Sequence, residues 1–110
     1  MAPGCEFLLT PHSFFCFLSD DPALGKSARA AMEDMGNTVF VSAASAWEIA
    51  TKVRIDRLPG AASLAAAFAD HIDREGFEPL PITIHHAASA GLLAGAHKDP
   101  FDRMLLAQAL

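Results

Sequence analysis

The residues best suited to chemistry in this chain are two aspartates near its carboxyl end. Asp99 and Asp102 are three residues apart in the segment Asp99-Pro100-Phe101-Asp102-Arg103, and a largely apolar run follows them. Carboxylate oxygens are the ligands that hard divalent cations such as Mg²⁺ prefer. We interpret the pair as one half of a metal site at the start of a helix.

A simpler interpretation of the same segment needs no metal. Asp99 is a good residue to cap the amino end of a helix, and Pro100 suits the first helical position. Asp102, in the first turn, would favour the positive end of the helix dipole. The spacing by itself leaves both interpretations open, and ordinary helix caps are far commoner than metal sites.

A third acid, Glu48, lies in a segment that predicts a helix over residues 43–54, capped by Ser42. Apolar residues recur at helical spacing in this segment and predict a buried stripe with Glu48 at its edge. The predicted stripe consists of Ala43, Ala46, Trp47, Ala50 and Val53. Glu48 could equally form an ordinary ion pair with Lys52, four residues further along the helix.

Composition sets the class of protein. The chain has 110 residues, of which 52% are hydrophobic, and this fits one compact domain with a core. No apolar run reaches the roughly 18 residues of a spanning helix, and no signal peptide is indicated, so a cytoplasmic location is the default. Cys5 and Cys16 are too few for a disulfide framework. The net charge of −5 argues against a protein that binds nucleic acid through an overall positive charge. Bound metal ions can, however, make the local charge at a site positive toward a phosphate.

The elements that must position the acids alternate along the chain. Strands are predicted at residues 6–9, 38–41 and, more weakly, 77–82, where two prolines favour the edge of a sheet. Helices are predicted at residues 13–18, 26–34, 43–54, 63–75 and 83–94, and from Pro100 onward. Helical crossovers between short apolar strands imply a parallel sheet in an α/β fold.

In such a sheet, ligands bind beyond the carboxyl ends of the strands. This rule places Thr10–His12, the start of the helix after Ser42, and the Asp99–Asp102 segment on one rim. Glu48 lies about one and a half turns into its helix and is close enough to reach the same rim. The sequence therefore predicts that Glu48, Asp99 and Asp102 meet.

Four blocks of the sequence together resemble the PIN domain family, and most closely the VapC-type toxins of bacterial toxin–antitoxin pairs. They are Leu8-Leu9-x-x-His12, Val41-Ser42-Ala43-Ala44-Ser45-Ala46-Trp47-Glu48-Ile49-Ala50, Leu80-Pro81-Ile82-Thr83 and residues 97–109, which include Asp-Pro-Phe-Asp-Arg. The blocks cover most of the chain and follow the order of the family.

The resemblance implies a three-layer α/β/α fold and an endoribonuclease that depends on Mg²⁺ or Mn²⁺. It also implies a cognate, VapB-like antitoxin that inhibits the toxin. Glu48 matches the acid on the helix after the second strand, Asp102 matches the acid that opens the last helix, and Asp99 is a helper. These three residues are the catalytic and metal-binding residues that we expect, and Lys98 and Arg103 could contact the RNA backbone.

Two features of the sequence depart from the family pattern. The family usually carries an aspartate after the first strand, in Asp-Thr-His, whereas this chain reads Thr10-Pro11-His12 and offers a neutral hydroxyl. The family also continues past the last helix into another strand, typically with a fourth acid, whereas this sequence ends at Leu110. We therefore expect one incomplete PIN domain over residues 1–110, without its C-terminal strand. Apolar residues of the last helix that lack partners would favour a homodimer.

The departures leave two other functions open. One is a catalytically degenerate domain that only binds an antitoxin. The other is a fragment without function. Metal-dependent RNA cleavage separates an enzyme from both, and binding of an antitoxin separates the two from each other.

Overall fold

A computed structural model describes residues 4–95 and 99–110. Within these residues the strands are β1 (Glu6–Leu8), β2 (Thr38–Ser42) and β3 (Glu78–Leu80). The helices are α1 (Pro11–Leu18), α2 (Lys26–Glu33), α3 (Ala43–Arg54), α4 (Ala62–Ala66), α5 (Phe68–Glu75), α6 (Ile84–Leu92) and α7 (Pro100–Ala109). A short 3₁₀ helix covers Pro22–Leu24. As far as the chain is described, no helix combines the length and the apolar character that crossing a bilayer requires.

The three strands form one parallel sheet in the order β1-β2-β3. In the register of this sheet Phe7 pairs with Val39, and Ser42 pairs with Leu80. β3 lies at an edge, as Pro79 within it and Pro81 after it predict, because proline has no N–H to donate to a further strand. The carboxyl ends of the strands therefore meet along one rim, from which α1, α3 and the connection to α6 depart.

The core lies against one face of the central strand. Val39 and Val41 of β2 are buried there and pack with aromatic and aliphatic side chains of the helices. Phe14 is fully buried, and its ring centroid is 5.2 Å from that of Phe68 and 6.1 Å from that of Phe77. Such tilted aromatic pairs add to the burial of apolar surface. This core fixes α1, α5 and the sheet relative to one another.

The opposite face of the sheet is covered by the end of α7. Leu8, Phe40 and Leu80 line a cavity of about 300 Å³ on this face, together with Gln108 and Ala109. Helices therefore lie against both faces of the parallel sheet, and the expected α/β architecture of PIN-like type is confirmed.

The structure corrects the predicted buried face of α3. Trp47 is 60% exposed and Ala43 and Ala50 are exposed, whereas the buried residues are Ala44, Ser45, Glu48 and Ile49. The prediction was wrong because α3 is rich in alanine, which marks no particular face of a helix. Two of its polar residues, Ser45 and Glu48, lie on the buried face instead.

A second correction concerns the helix predicted at residues 63–75. The chain forms two helices that are separated at Ala67, whose φ and ψ angles of −131° and 40° are not helical. α4 packs against α3, whereas α5 packs against β3. The break allows Leu64 and Ile72 to be buried in the same core from two helices.

Candidate metal centre

Glu48 is positioned by the junction between β2 and α3. Ser42 ends the strand and caps the helix, because its Oγ accepts a hydrogen bond of 3.0 Å from the N–H of Ala44. Glu48 follows on the second turn and is only 6% exposed. Its Oε2 lies 3.7 Å from Nζ of Lys52. The expected pair with Lys52 is thus present, but it involves a buried carboxylate rather than a surface one.

The two aspartates are positioned by the start of α7. Oδ1 of Asp99 accepts hydrogen bonds from the N–H groups of Phe101 at 2.8 Å and Asp102 at 3.4 Å, and Pro100 takes the first helical position. The helix-cap interpretation is therefore correct. It does not exclude the metal interpretation, because a capping carboxylate keeps its second oxygen.

The start of α3 and the last turn of α7 are joined by a partly buried side-chain hydrogen bond. Oγ of Ser42 donates to Oε1 of Gln108 over 2.5 Å, so the cap of α3 is tied to the last turn of α7. Near the start of α7, the rings of Trp47 and Phe101 meet in a T-shaped contact with their centroids 4.9 Å apart. These two contacts hold the helix of Glu48 beside the helix of the two aspartates.

The packing brings the three predicted site residues together. One carboxylate oxygen each from Glu48, Asp99 and Asp102 lies within 4.8 Å of the other two. Glu48 is buried, whereas the two aspartates are exposed to solvent. The cluster is thus closed on the side of α3 and open on the side of α7.

The electrostatics of the cluster favour a cation. Burial raises the pKa of the Glu48 carboxyl above its ordinary value, Lys52 opposes the shift, and the negative charges of Asp99 and Asp102 add to it. Three carboxylates beside one lysine leave an excess of negative charge. An all-oxygen, anionic set of this kind fits a hard divalent cation such as Mg²⁺ or Mn²⁺.

A further polar group lies next to the cluster on α3. Ser45 is fully buried, and in the part of the chain that the structure describes its hydroxyl has no hydrogen-bond partner. It lies three residues before Glu48 and therefore shares a face of α3 with it. A buried hydroxyl without a partner is costly and fits a place where a metal-bound water could accept or donate a hydrogen bond.

Thr10 lies on the same rim but serves as a helix cap. Its Oγ1 accepts a hydrogen bond from the N–H of Ser13 and donates one to the hydroxyl of the same residue. Thr10 and Asp102 line one cavity of about 330 Å³. His12, in contrast, places its Nε2 3.5 Å from Sγ of Cys16 and belongs to no carboxylate cluster among the described residues.

Arg103 makes contacts within the protein that the sequence did not predict. Its guanidinium donates hydrogen bonds to the backbone oxygens of Ala90, Gly91 and Leu93, at 3.1, 3.3 and 2.6 Å. These oxygens end α6, so Arg103 joins α6 to α7 and complements the negative end of the α6 dipole. Lys98, the other expected cation, lies outside the described residues.

The contact between Trp47 and Phe101 is the feature of this site that sequence reasoning missed. The available signal was that each ring directly precedes an acid of the cluster, Glu48 or Asp102. The contact was not predicted, because Trp47 was expected to be buried in the core.

Comparison with known proteins identifies the family. A family model described as PIN domain matches residues 13–110, which include the three acids but not Thr10. Ribonuclease VapC16 of Mycobacterium tuberculosis is 40% identical over 60 residues, which cover 54% of this chain and 43% of that protein. The chain thus matches less than half of the length of this relative. No solved structure matches the chain significantly. Since the family model spans most of the sequence, the chain belongs to the PIN domain family.

Proposed function

We propose that this chain is a VapC-type toxin, an endoribonuclease that hydrolyses RNA phosphodiester bonds with Mg²⁺ or Mn²⁺ held by Glu48, Asp99 and Asp102. The observation that carries the proposal is the convergence of the three carboxylates from two helices to within 4.8 Å. Membership of the PIN domain family and the similarity to Ribonuclease VapC16 support it.

The three acids have different parts in this proposal. Glu48, buried and fixed by α3, would anchor the ion, whereas Asp99 and Asp102 would hold it on the side that solvent and substrate reach. When bound, the ion would supply positive charge to a phosphodiester and activate a water molecule for attack. The chain itself carries a net charge of −5, so its residues alone would repel an RNA backbone.

The partners that we propose are an RNA substrate, a VapB-like antitoxin and a second copy of the chain, all in the cytoplasm. Support for the protein partners comes from α7 and its end, where Leu106 is 40% exposed and Leu110 is 86% exposed. Apolar side chains exposed in this way are typical of interaction surfaces when they are contiguous.

A specific observation favours a second candidate, an antitoxin-binding domain without catalysis. By its resemblance to the family pattern, Thr10 stands where an acid is usual, and its hydroxyl is engaged in capping α1. A neutral hydroxyl contributes no charge to a divalent cation. The site would then hold metal too weakly for turnover.

The experiment that separates the two is cleavage of a mixed RNA pool in Mg²⁺ or Mn²⁺ by this chain and by its Glu48→Gln and Thr10→Asp variants. Aspartate caps a helix as well as threonine does, so Thr10→Asp should preserve α1. Glu75→Gln, at an exposed position on α5, is the matched control for removing a carboxylate charge.

Cleavage by the unmodified chain and by Glu75→Gln, but not by Glu48→Gln, would support the enzyme. Cleavage by Thr10→Asp alone would show that the fold is intact and that the threonine at position 10 makes the metal site inactive. Absence of cleavage by every variant, together with binding of an antitoxin, would favour the second candidate.

A further inference from the structure

Next to the carboxylate cluster lies a cavity of about 350 Å³ between α3, the end of α6 and the start of α7. Ala44, Trp47, Ala90, Gly91, Phe101 and Met104 contribute most of its lining. Arg103 is the charged residue of the lining, and its guanidinium is held by the backbone oxygens that end α6. The cavity is thus mainly apolar, with two aromatic rings.

Trp47 is the unusual residue of this cavity. It is 60% exposed, although its neighbour Glu48 is 6% exposed and the chain has a large apolar core. The T-shaped contact with Phe101, at 81° between the rings, fixes the indole without covering it. A large aromatic surface that is held in one orientation and left accessible is suited to stacking with a planar ligand.

The position of the cavity indicates which planar ligand it would take. Trp47 immediately precedes Glu48, and Phe101 immediately precedes Asp102, so the rings and the acids are carried by the same turns of α3 and α7, although none of the three acids lines the cavity. A phosphate placed at the metal therefore has its own or the adjacent nucleoside within reach of the rings. The acids would repel a second phosphate in the absence of a cation, whereas an uncharged base meets no such penalty.

We propose that this cavity receives one unpaired base of the RNA, stacked on Trp47 and bordered by Phe101, beside the phosphate that is cleaved. The inference rests on the proposed ribonuclease function and deepens it, because it makes Trp47 a determinant of substrate binding. Stacking on an aromatic side chain is tolerant of base identity. The cavity would therefore select single-stranded over paired RNA more strongly than one base over another.

The test uses the fact that Trp47 is the single tryptophan of the chain, which also has no tyrosine, so its fluorescence reports on this cavity alone. The probes are the four nucleoside 5′-monophosphates and, as their base-free counterpart, ribose 5-phosphate, each added in Mg²⁺. None of these probes has an internucleotide bond, so binding is measured without cleavage. We expect at least one nucleotide to quench Trp47 and ribose 5-phosphate to leave it unchanged.

The matching variants are Trp47→Leu, Phe101→Leu and the control Met35→Ala. Met35 is 99% exposed in the turn before β2, at the end of the sheet away from the acids. In calorimetric titrations Trp47→Leu should bind the quenching nucleotide about ten-fold more weakly, the factor expected for one stacked base. Met35→Ala should bind like the unmodified chain, and all three variants should show cooperative unfolding.

Equal quenching by ribose 5-phosphate and by the nucleotides, or no quenching by any of them, would overturn the proposal. It would also be overturned if Trp47 were quenched by an antitoxin peptide alone, since the cavity would then be a protein interface. These outcomes do not depend on catalysis. If the chain binds nucleotides through Trp47 but cleaves no RNA, the proposed activity is refuted. The proposed base site is then still supported.

Discussion

The carboxylates of Glu48 and Asp99 approach within 4.8 Å of each other, although Glu48 lies on α3 and Asp99 caps a different helix, α7. Their charges repel, and Asp102 adds to the repulsion. The cluster is therefore not what holds the helices together. The hydrogen bond between Ser42 and Gln108 and the ring contact between Trp47 and Phe101 supply that attraction. The surrounding contacts hold the site in place against the repulsion between its carboxylates. A bound cation would remove that repulsion.

The first prediction concerns that cost. Glu48→Gln removes the buried charge whose pKa is raised by burial and by the two aspartates. When a chelator is present, we expect the free energy of urea unfolding of the variant to be about 1 kcal/mol higher than that of the unmodified chain. Mn²⁺ should raise the midpoint of the unmodified chain and leave that of Glu48→Gln unchanged. Equal stabilisation of both chains by Mn²⁺ would contradict the assignment of Glu48, and Glu75→Gln is the control.

The second prediction separates the two roles of Asp99. Asparagine caps a helix about as well as aspartate, whereas alanine does not. Asp99→Asn should therefore keep the free energy of unfolding in chelator within about 0.5 kcal/mol, and Asp99→Ala should lose about 1 kcal/mol. Both variants should bind Mn²⁺ more weakly in titration calorimetry. Undiminished Mn²⁺ binding by Asp99→Asn would leave Asp99 with the capping role alone.

The third prediction concerns Arg103, whose guanidinium joins α7 to the end of α6. Lysine keeps the charge but cannot donate to several backbone oxygens in the same forked geometry. We expect Arg103→Lys to lower the free energy of urea unfolding by about 1–3 kcal/mol, the range for hydrogen bonds of a charged group. The conservative change Arg57→Lys, at an exposed position, should have little effect. A stable Arg103→Lys variant with weakened RNA binding would restore the expected contact with the RNA backbone.

The fourth prediction concerns the two cysteines. Cys16 is buried, and burial, with a smaller effect from the charge of Asp21, raises the pKa of its thiol. Since the thiolate is the reactive form, Cys16 should react slowly with a thiol reagent in the folded chain. Cys5 is exposed, so one thiol should react rapidly before unfolding and two after it. Cys5→Ser should abolish the rapid reaction, and a rapid reaction that persisted would show that α1 opens easily.

Much of the local structure follows from the sequence because it depends on neighbouring residues. Ser42, Thr83 and Asp99 each cap the helix that was predicted to follow them, through their own side chains. The apolar, β-branched segment of β2 forms the central strand, and Pro79 marks the edge strand. Such features need a few residues of context, so a single sequence suffices to predict them.

The errors occurred where local patterns compete with packing. The four alanines among the twelve residues of α3 gave no information on its buried face, and Trp47 was placed inside because it is large and apolar. The break at Ala67 has no strong local signal, because alanine favours a helix. It results from α4 and α5 packing against different elements. The contacts of Arg103 with the end of α6 were not predicted, because a sequence does not show which backbone oxygens lie within reach.

By itself the sequence determined the order of strands and helices, the caps and the identity of three acids able to bind a cation. The rule for parallel sheets also predicted that these acids meet, and the structure places one carboxylate oxygen of each within 4.8 Å of the others. Only the tertiary structure showed that Glu48 is buried among them and that Trp47 faces outward next to Phe101. The physical reason is that caps and strands arise from interactions between near neighbours along the chain. A distance between side chains on α3 and α7 depends on how both helices pack around the sheet.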